Sequence, residues 1–278
     1  LWLYLLNPNT FPKKNYLFLA ILLFFIANIV STILSVNAYR SFWGNAERME
    51  GTWSLFFYII YFLLLLTLFQ FDPSKKRIIF FSFFIVTTFI SLMQINEAFF
   101  QKIDSRPYAT LGNATYVGFM NLLVICFLLY FYFGENSISY KIIYLVSVFI
   151  NLLSLLASQT RGSILGLLVG FFVFFIIYIF FGSIKKEQKI LFFIFLIVFL
   201  SFFYFFLKTD YALLIPGIKR LSETLQNPSS IMPRFFAWKI FLQAFKEKYY
   251  FGWGPETSQI AFFSHFNPEI FNYEQAIF

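Results

Sequence analysis

The stretch SQTRGSILGLLVGFFVFFIIYIFF at residues 158–181 decides how this chain has to fold. It opens with a short polar turn and then continues, over residues 163–182, as an apolar run that contains no charged side chain. A run of about 20 apolar residues is long enough to cross the hydrocarbon core of a bilayer as an α-helix. Arg161 therefore stands at the mouth of a predicted spanning helix, where a fixed cation beside lipid usually has a function.

The same apolar pattern recurs along most of the chain. Of 278 residues, 60% are hydrophobic and only 12% are charged, about half the charged fraction of an average soluble domain. Seven runs are long enough to span a bilayer: roughly 16–36, 53–71, 78–96, 115–133, 141–158, 163–182 and 189–207. Residues 1–6 resemble the end of an eighth. The sequence predicts an all-α, polytopic transmembrane helix bundle over residues 1–207.

Residue counts exclude several other classes of protein. Cys126 is the only cysteine and lies inside an apolar run, so neither an intrachain disulfide nor a Cys/His metal site is expected. The net charge of +8 is spread over short loops and forms no stripe of the kind that binds nucleic acid. Nucleotide-binding and zinc-protease motifs are absent from the sequence. We expect no metal, no cofactor and no nucleic-acid partner.

The cations of the loops predict which helix ends face the cytoplasm. One set of loops is rich in lysine and holds Lys13, Lys14, Lys75, Lys76, Arg77, Lys141, Lys185, Lys186 and Lys189. The other set of short loops holds Arg40, Arg48, Lys102, Arg106 and Arg161. Because the richer set lies inside, loops 37–52, 97–114 and 158–162 and the segment 208–278 are predicted to face outward. Every arginine except Arg77 then faces outward, and arginine presents a planar fork of donors that suits phosphate or carboxylate.

From Lys208 onward the chain gains prolines and charges, and we interpret residues 208–278 as the start of a large extracytoplasmic loop. Within it, residues 234–248 carry apolar side chains at helical spacing. These side chains are Phe235, Trp238, Phe241, Leu242 and Phe245. The pattern predicts an amphipathic helix, with Pro233 in its first turn, that lies on the membrane surface or on the bundle.

Two arginines are the leading candidates for an anion-binding site. Arg161 ends a polar turn where a helix begins, and the free N–H groups and dipole of a helix N-terminus attract anions. Arg234 stands similarly near the start of the amphipathic helix, one turn before Trp238. The alternatives are contact with lipid head groups for Arg161 and an interfacial anchor pair for Arg234 and Trp238. Three glycines four residues apart follow Arg161 and predict close helix packing that would hold it rigidly. They are Gly162, Gly166 and Gly170.

Other residues are weaker candidates for contact with a substrate. Arg48 lies between two glutamates, which favours local ion pairs, and Arg106 precedes a proline and a Gly-Asn turn signal. Trp238 accompanies Arg234. Glu256 closes the tight turn FGWGPE at 251–256 and is suited to act as a general base or to bond a sugar, although the turn itself is typical of a structural element. His265, the only histidine, has no obvious partner in the sequence, so we expect an interfacial or structural role for it.

In their order along the chain, four phrases resemble the O-antigen ligase family, which includes O-antigen ligases, related polymerases and protein O-oligosaccharyltransferases. The phrases are SFWGNAERMEGTW at 41–53, RPYATLGNATYVG at 106–118, SQTRGSILGLLVG at 158–170 and RFFAWKIFLQAFKEKYYFGWGPE at 234–256. The resemblance implies transfer of a glycan from undecaprenyl diphosphate to an acceptor hydroxyl on a lipid, a glycan or a protein. It places this reaction at the outer face of the bacterial inner membrane, in lipopolysaccharide biosynthesis, without a metal.

The resemblance also implies roles for single residues. Arg161 and Arg234 would stabilise the negative charge that develops on the diphosphate leaving group. The family uses a histidine in the large outer loop, in a phrase like DRAHN, to help activate the acceptor. His265 stands too early and lacks that phrase, so its role is not transferred. We expect the chain to be a fragment of a longer protein in which the catalytic histidine follows Phe278.

A rival hypothesis from another functional class is a membrane transporter or a lipid-binding scaffold without chemistry. A transporter predicts a continuous polar path through the bundle, whereas the apolar runs of this chain are nearly uncharged. A transferase predicts an outward cavity lined by arginine beside an apolar groove for the prenyl chain. The acceptor and the glycan are not readable from the sequence.

Overall fold

A computed structural model describes residues 16–71, 74–100, 106–181, 186–209, 211–212, 215–226 and 232–269. Within these ranges the regular structure is helical. The α-helices are α1 (Tyr16–Ile33), α2 (Ala38–Trp43), α3 (Thr52–Phe71), α4 (Ser74–Phe99), α5 (Ala114–Gly134), α6 (Ile138–Ala157), α7 (Arg161–Phe181), α8 (Lys186–Phe206), α9 (Pro216–Gln226), α10 (Met232–Glu247) and α11 (Ser258–Ser264), with a 3-10 turn at Ala109–Leu111.

The predicted fold class is confirmed, because each of the seven apolar runs forms a helix. Six of these helices are long and apolar enough to cross a membrane. The remaining one, α3, has a shorter described apolar part, Thr52–Leu66. The predicted eighth span at residues 1–6 lies outside the described residues. The chain is thus a multi-pass membrane protein of helical class.

The helices form two compact units. Unit 1 comprises residues 1–78 and 228–278, and unit 2 comprises residues 79–227. Unit 2 contains most of α4 and all of α5 to α9, whereas unit 1 contains α1 to α3 and α10 to α11. The predicted topological boundary after residue 207 stays a prediction.

Unit 2 is built around the antiparallel pair α5 and α6. Towards the end that holds Lys141, a cluster of Phe84, Val124, Leu128 and Tyr144 joins this pair to α4. Towards the opposite end, a second apolar cluster joins α5 and α6 to α7 and α9. Its buried members are Ile125, Leu155, Ile164, Leu207, Ala212, Ile218 and Leu221. The packing therefore brings the end of α4, the start of α5, the end of α6 and the start of α7 to one end of the unit.

Polar side chains fill the space between α4, α5 and α6, although these helices lie at membrane depth. Ser91, Gln94, Asn121, Asn151 and Ser154 have no exposed surface. The Ser91 hydroxyl lies within hydrogen-bonding distance of the side-chain oxygens of Asn121 and Asn151, at 2.9 and 3.0 Å. Asn121 donates in turn to Ser154 at 2.8 Å. Buried polar groups bond to one another because neither lipid nor water can satisfy them there.

The close packing predicted from the glycine pattern of α7 is found at Gly166, whereas Gly162 makes an ordinary contact. A Cβ on Gly162 or Gly166 would meet Phe119 or Leu122 of α5, whereas a Cβ on Gly170 would meet no described atom within 4 Å. A closer approach between α5 and the start of α7 comes from a glycine that the pattern did not single out. A Cβ on Gly118 of α5 would lie 2.9 Å from side-chain atoms of the residues that start α7. These residues are Ser158, Thr160 and Ser163.

In unit 1, serine hydroxyls hold the turn that follows α10. Ser31 donates to the carbonyl of Phe251 at 2.7 Å. Ser35 and Ser41 donate to the carbonyls of Trp253 and Pro255 at 3.0 and 2.9 Å. Three carbonyls spaced two residues apart are therefore satisfied by α1, by the link that follows it and by α2. Gly254, with φ of +107°, gives the turn its left-handed backbone.

A helix is present where the amphipathic helix was predicted, but the side of it that packs against protein is not the predicted apolar face. α10 begins at Met232 and ends at Glu247, with Pro233 in the first turn as expected. Its buried residues are Ile240 and Ala244, which the apolar pattern had not included, and Ile240 packs beside Phe262 of α11. The predicted apolar face is exposed instead, and Trp238 retains 63% of its accessible surface. Because α10 is apolar on more than one side, the sequence pattern could not choose which face packs against protein.

Two predicted loops also contain helices that the sequence analysis did not identify. The short helix α2 lies inside the loop 37–52, and its N-cap Asn37 accepts a hydrogen bond from the backbone of Arg40. α9 and α11 lie inside the segment 208–278. α9 begins with Pro216, a residue that is favoured in a first helical turn.

Because Gly118 approaches its neighbours closely, adding one methyl group at this position should destabilise the protein measurably. Gly118→Ala should lower the free energy of unfolding by about 1–3 kcal/mol, because the neighbouring turn cannot move without breaking its own hydrogen bonds. Gly134→Ala at the other end of α5 is the matched control, since its Cβ would meet no described atom within 4 Å. Equal thermal unfolding midpoints for the two purified variants would contradict this packing.

Candidate functional site

Arg161 is the first residue of α7, as the sequence predicts. The turn before it is buried at Ser158 and Thr160, and Gln159 adopts a left-handed backbone with φ of +53°. A non-glycine residue in this region is strained and persists only where its surroundings hold it. The start of α7 is therefore a rigid, tightly supported structure, and Arg161 projects from it half-buried.

Arg106 supplies part of that support. Its Nε and one of its Nη atoms donate to the carbonyl of Ser158 at 3.2 and 3.0 Å, and the same Nη donates to the hydroxyl of Thr160 at 2.8 Å. Thr160 donates in turn to the carbonyl of Ala114, the first residue of α5, at 3.2 Å. Arg106 was predicted as a weaker substrate contact. The structure places this guanidinium on the turn that carries Arg161.

A third arginine, Arg220 of α9, reaches the same turn and was not among the predicted site residues. Its Nη1 donates to the carbonyl of Gln159 at 3.2 Å. α9 can come this close because Gly217 contacts the carbonyl of Leu156, where a Cβ would not fit. The Pro-Gly pair at the start of α9 was the one signal in the sequence, since this pair starts a helix and permits close approach.

The three guanidinium groups influence one another electrostatically. Burial lowers the pKa of Arg106, and the nearby cations Arg220 and Arg161 lower it further. Like charges brought together in a partly buried place raise the local potential and favour any anion that reaches it. The start of α7 adds the positive end of its helix dipole. This end of unit 2 is therefore suited to hold a phosphate or a carboxylate.

Four other predicted site residues lie in unit 1: Arg48, Arg234, Trp238 and Glu256. Arg234 is exposed in the first turn of α10, and Trp238 stacks edge-on with Phe235 at 5.5 Å between ring centroids. Arg48 is exposed, and no ion pair in the described chain joins it to the glutamates that flank it. Glu256 has a left-handed backbone with φ of +57° at the end of the serine-bound turn. Arg161 and Arg234 belong to different units, so a shared site for them stays a prediction.

His265 has partners that the sequence did not reveal. Its Nε2 lies 2.9 Å from a carboxylate oxygen of Glu247. Its Nδ1 lies 2.9 Å from the hydroxyl of Ser264 and 3.2 Å from the carbonyl of Ala261, and the ring packs edge-on against Trp253. With both nitrogens engaged, the imidazole joins the ends of α10 and α11 to the serine-bound turn. This geometry agrees with the expected structural role.

No group of three or more His, Cys, Asp or Glu side chains that could hold a metal ion occurs within the described ranges. The candidate site in unit 2 is instead made of guanidinium, hydroxyl and backbone groups. Its chemistry is the binding of an anion through hydrogen bonds and positive charge.

A family model described as O-antigen ligase matches residues 146–277, from the second half of α6 to beyond α11. No curated protein and no solved structure matches the chain. The matched range contains Arg161, Arg220 and Arg234, while Arg106 lies before it. The family predicted from the order of the four phrases is thereby confirmed. Residues 146–277 of this multi-pass membrane protein match the O-antigen ligase family, which implies glycan transfer at the membrane in surface-polysaccharide synthesis.

Proposed function

We propose that this protein transfers a glycan from undecaprenyl diphosphate to an acceptor hydroxyl on the outer face of the bacterial inner membrane. The observation that carries the proposal is the cluster of Arg106, Arg161 and Arg220 around the N-terminus of α7. The acceptor is a hydroxyl of a lipid, of a glycan or of a protein. Metal-independent transfer suits a site that is built from guanidinium groups.

In this reaction the bond between the anomeric carbon of the sugar and the phosphate oxygen breaks, and the diphosphate leaves with its bonding electrons. The acceptor oxygen forms the new glycosidic bond and loses its proton. Positioned donors that meet the growing negative charge lower the barrier, because they need no reorganisation when the charge develops. Arg161 is the group best placed for this role, since it stands at the helix N-terminus itself.

The other arginines have different parts in the proposal. Arg106 uses its donors on the turn, so it holds Arg161 in position, and Arg220 completes the positive field. Arg234, in the first turn of α10, is proposed to stabilise the diphosphate as well, as the resemblance to the family implies. Arg48, Trp238 and Glu256 remain candidate contacts with the glycan.

The arrangement of the helices supports an outward site. Lys141 and Lys189 lie near the starts of α6 and α8, whereas the arginine cluster lies where α6 ends and α7 starts. Lysine-rich ends face the cytoplasm by the positive-inside rule. The arginines then lie at the outer interface, at the depth of lipid phosphates, while the prenyl chain extends along the apolar helices.

Arginine geometry should matter more than charge. In the full-length protein, Arg161→Lys and Arg234→Lys should each reduce glycan transfer by about 100-fold, because lysine cannot reproduce a bidentate fork. Arg77→Lys, at the predicted cytoplasmic start of α4, is the control and should leave transfer unchanged. The assay follows release of undecaprenyl diphosphate from a labelled lipid-linked glycan in membranes that supply the acceptor, so the acceptor need not be identified. Normal transfer in both variants at matched expression would exclude the assignment.

Arg220 should contribute to binding of the diphosphate. A short prenyl diphosphate should raise the thermal unfolding midpoint of the purified protein, since a ligand that binds the folded state stabilises it. Arg220→Gln should weaken this shift. Lys219→Gln is the matched control on the same helix, because Lys219 is exposed and pairs with Glu223. Equal shifts in the two variants would remove Arg220 from the site.

The same donor assay separates the transferase from the rival class. A transporter or a lipid-binding scaffold binds the lipid-linked glycan without breaking its bond to phosphate. Binding without release of undecaprenyl diphosphate, in the presence of candidate acceptors, would favour that rival.

A further inference from the structure

The last turns of α4 hold the backbone of the loop that carries Arg106. The Gln94 side-chain amide donates to the carbonyl of Pro107 at 2.8 Å. One carboxylate oxygen of Glu97 accepts hydrogen bonds from the backbone N–H groups of Tyr108 and Ala109 at 3.0 and 2.8 Å. Two side chains three residues apart, on one helix face, therefore bind three consecutive residues of the loop.

The loop needs such support. Ala109 adopts a left-handed backbone with φ of +49°, a conformation that costs free energy for a residue with a Cβ. The two residues before it, Pro107 and Tyr108, are held by hydrogen bonds to Gln94 and Glu97 of α4. Without those hydrogen bonds, nothing in the covalent chain would favour this path of the backbone.

Gln94 is itself fixed from the other side. Its Oε1 accepts a short hydrogen bond from Ser154, which accepts from Asn121 at 2.8 Å. Because the carbonyl of Pro107 can only accept, the amide of Gln94 has one orientation that satisfies both ends. All three side chains are fully buried. A hydrogen-bonded chain of this kind is rigid, since each group would lose its only partners by moving.

We propose that Gln94 and Glu97 are positioning residues that act through Arg106 on Arg161, a proposal that rests on the function proposed above. The path runs from α4 to the loop 107–109, from Arg106 to the turn at Ser158 and Thr160, and from that turn to the start of α7. The steps between separate elements are hydrogen bonds between described atoms, while the backbone itself joins Pro107 to Arg106 and Thr160 to Arg161. Glu97 acts in it as an acceptor of two N–H bonds, and it neither transfers a proton nor neutralises the arginines.

This role makes a sharp distinction between two substitutions at one position. Glu97→Gln keeps an oxygen that accepts both N–H bonds, so it should retain the loop. Glu97→Met has a similar shape and no comparable acceptor, so it should release the loop. If the charge or the proton of the Glu97 carboxylate were needed, both substitutions would reduce glycan transfer equally.

The experiment compares the full chain, purified in nanodiscs, with Gln94→Met, Glu97→Met, Glu97→Gln and the control Thr87→Val. Thr87 is buried on the same helix and its hydroxyl bonds only to carbonyls of its own helix. Hydrogen exchange of residues 106–113 and 158–163 reports the order of the loop and of the turn. Release of undecaprenyl diphosphate by the full-length protein, in membranes that supply the acceptor, reports transfer.

We expect both methionine variants to speed exchange in both segments by about tenfold and to reduce transfer by about 10- to 100-fold. Glu97→Gln and Thr87→Val should stay close to the unmodified protein in both measurements. Should Gln94→Met fail to accumulate, the two substitutions of Glu97 decide the question.

Unchanged exchange in the methionine variants would overturn the proposal, as would equal damage from Glu97→Gln and Glu97→Met. The exchange measurement does not depend on the substrate. If Arg161→Lys kept full transfer while the methionine variants still released the loop, the proposed function would fail and the positioning of Arg106 by α4 would stand.

Discussion

The bonds from Arg106 to the turn at Ser158 and Thr160 are the interaction on which the rest of the candidate site depends. They satisfy the carbonyl of Ser158 at the end of α6 and fix the start of α7. They also place the charge of Arg106 near the charges of Arg161 and Arg220. Such a cluster repels itself, so it persists only where neighbouring structure holds each member in place. Unit 2 supplies that structure through the tight approach of Gly118, through Gly217 of α9 and through the side chains of α4 that bind the loop.

Hydrogen bonding between polar side chains organises both units in the same way. In unit 2, buried amides and hydroxyls of α4, α5 and α6 form hydrogen bonds with one another. One of them, Gln94, also binds the backbone of the loop that carries Arg106. In unit 1, hydroxyls of α1, of α2 and of the link between them hold alternate carbonyls of the turn after α10. Because lipid is as apolar as the helix surfaces, burying apolar side chains does not favour one helix neighbour over another. Small residues and polar contacts therefore decide which helix faces pack together. The polar residues that the hydropathy pattern treats as interruptions are thus the ones that define the packing.

Prediction from the sequence succeeded where length and hydrophobicity suffice and failed where the choice of face matters. The apolar runs became helices because a chain in lipid must satisfy its backbone internally. Pro233 marked the first turn of α10, and Arg161 marked the start of α7. The face of α10 that packs against α11 was missed, because Ile240 and Ala244 are not distinguishable from Trp238 by hydrophobicity alone. His265 looked isolated, since Glu247 lies far from it in the sequence and meets it only where α10 and α11 end.

The sequence by itself determined the membrane class and the positions of the spanning helices, and it predicted the resemblance to the O-antigen ligase family and two arginines as candidates for the site. These follow from local properties: the length of apolar runs, the residues that start helices and the order of short phrases. Only the tertiary structure decided that Arg106 supports the turn before Arg161, that Arg220 joins them, and that Gln94 and Glu97 hold the loop. The reason is physical. These contacts join residues that are remote in the chain, and their partners are mostly backbone groups, which every residue has and no sequence pattern can mark.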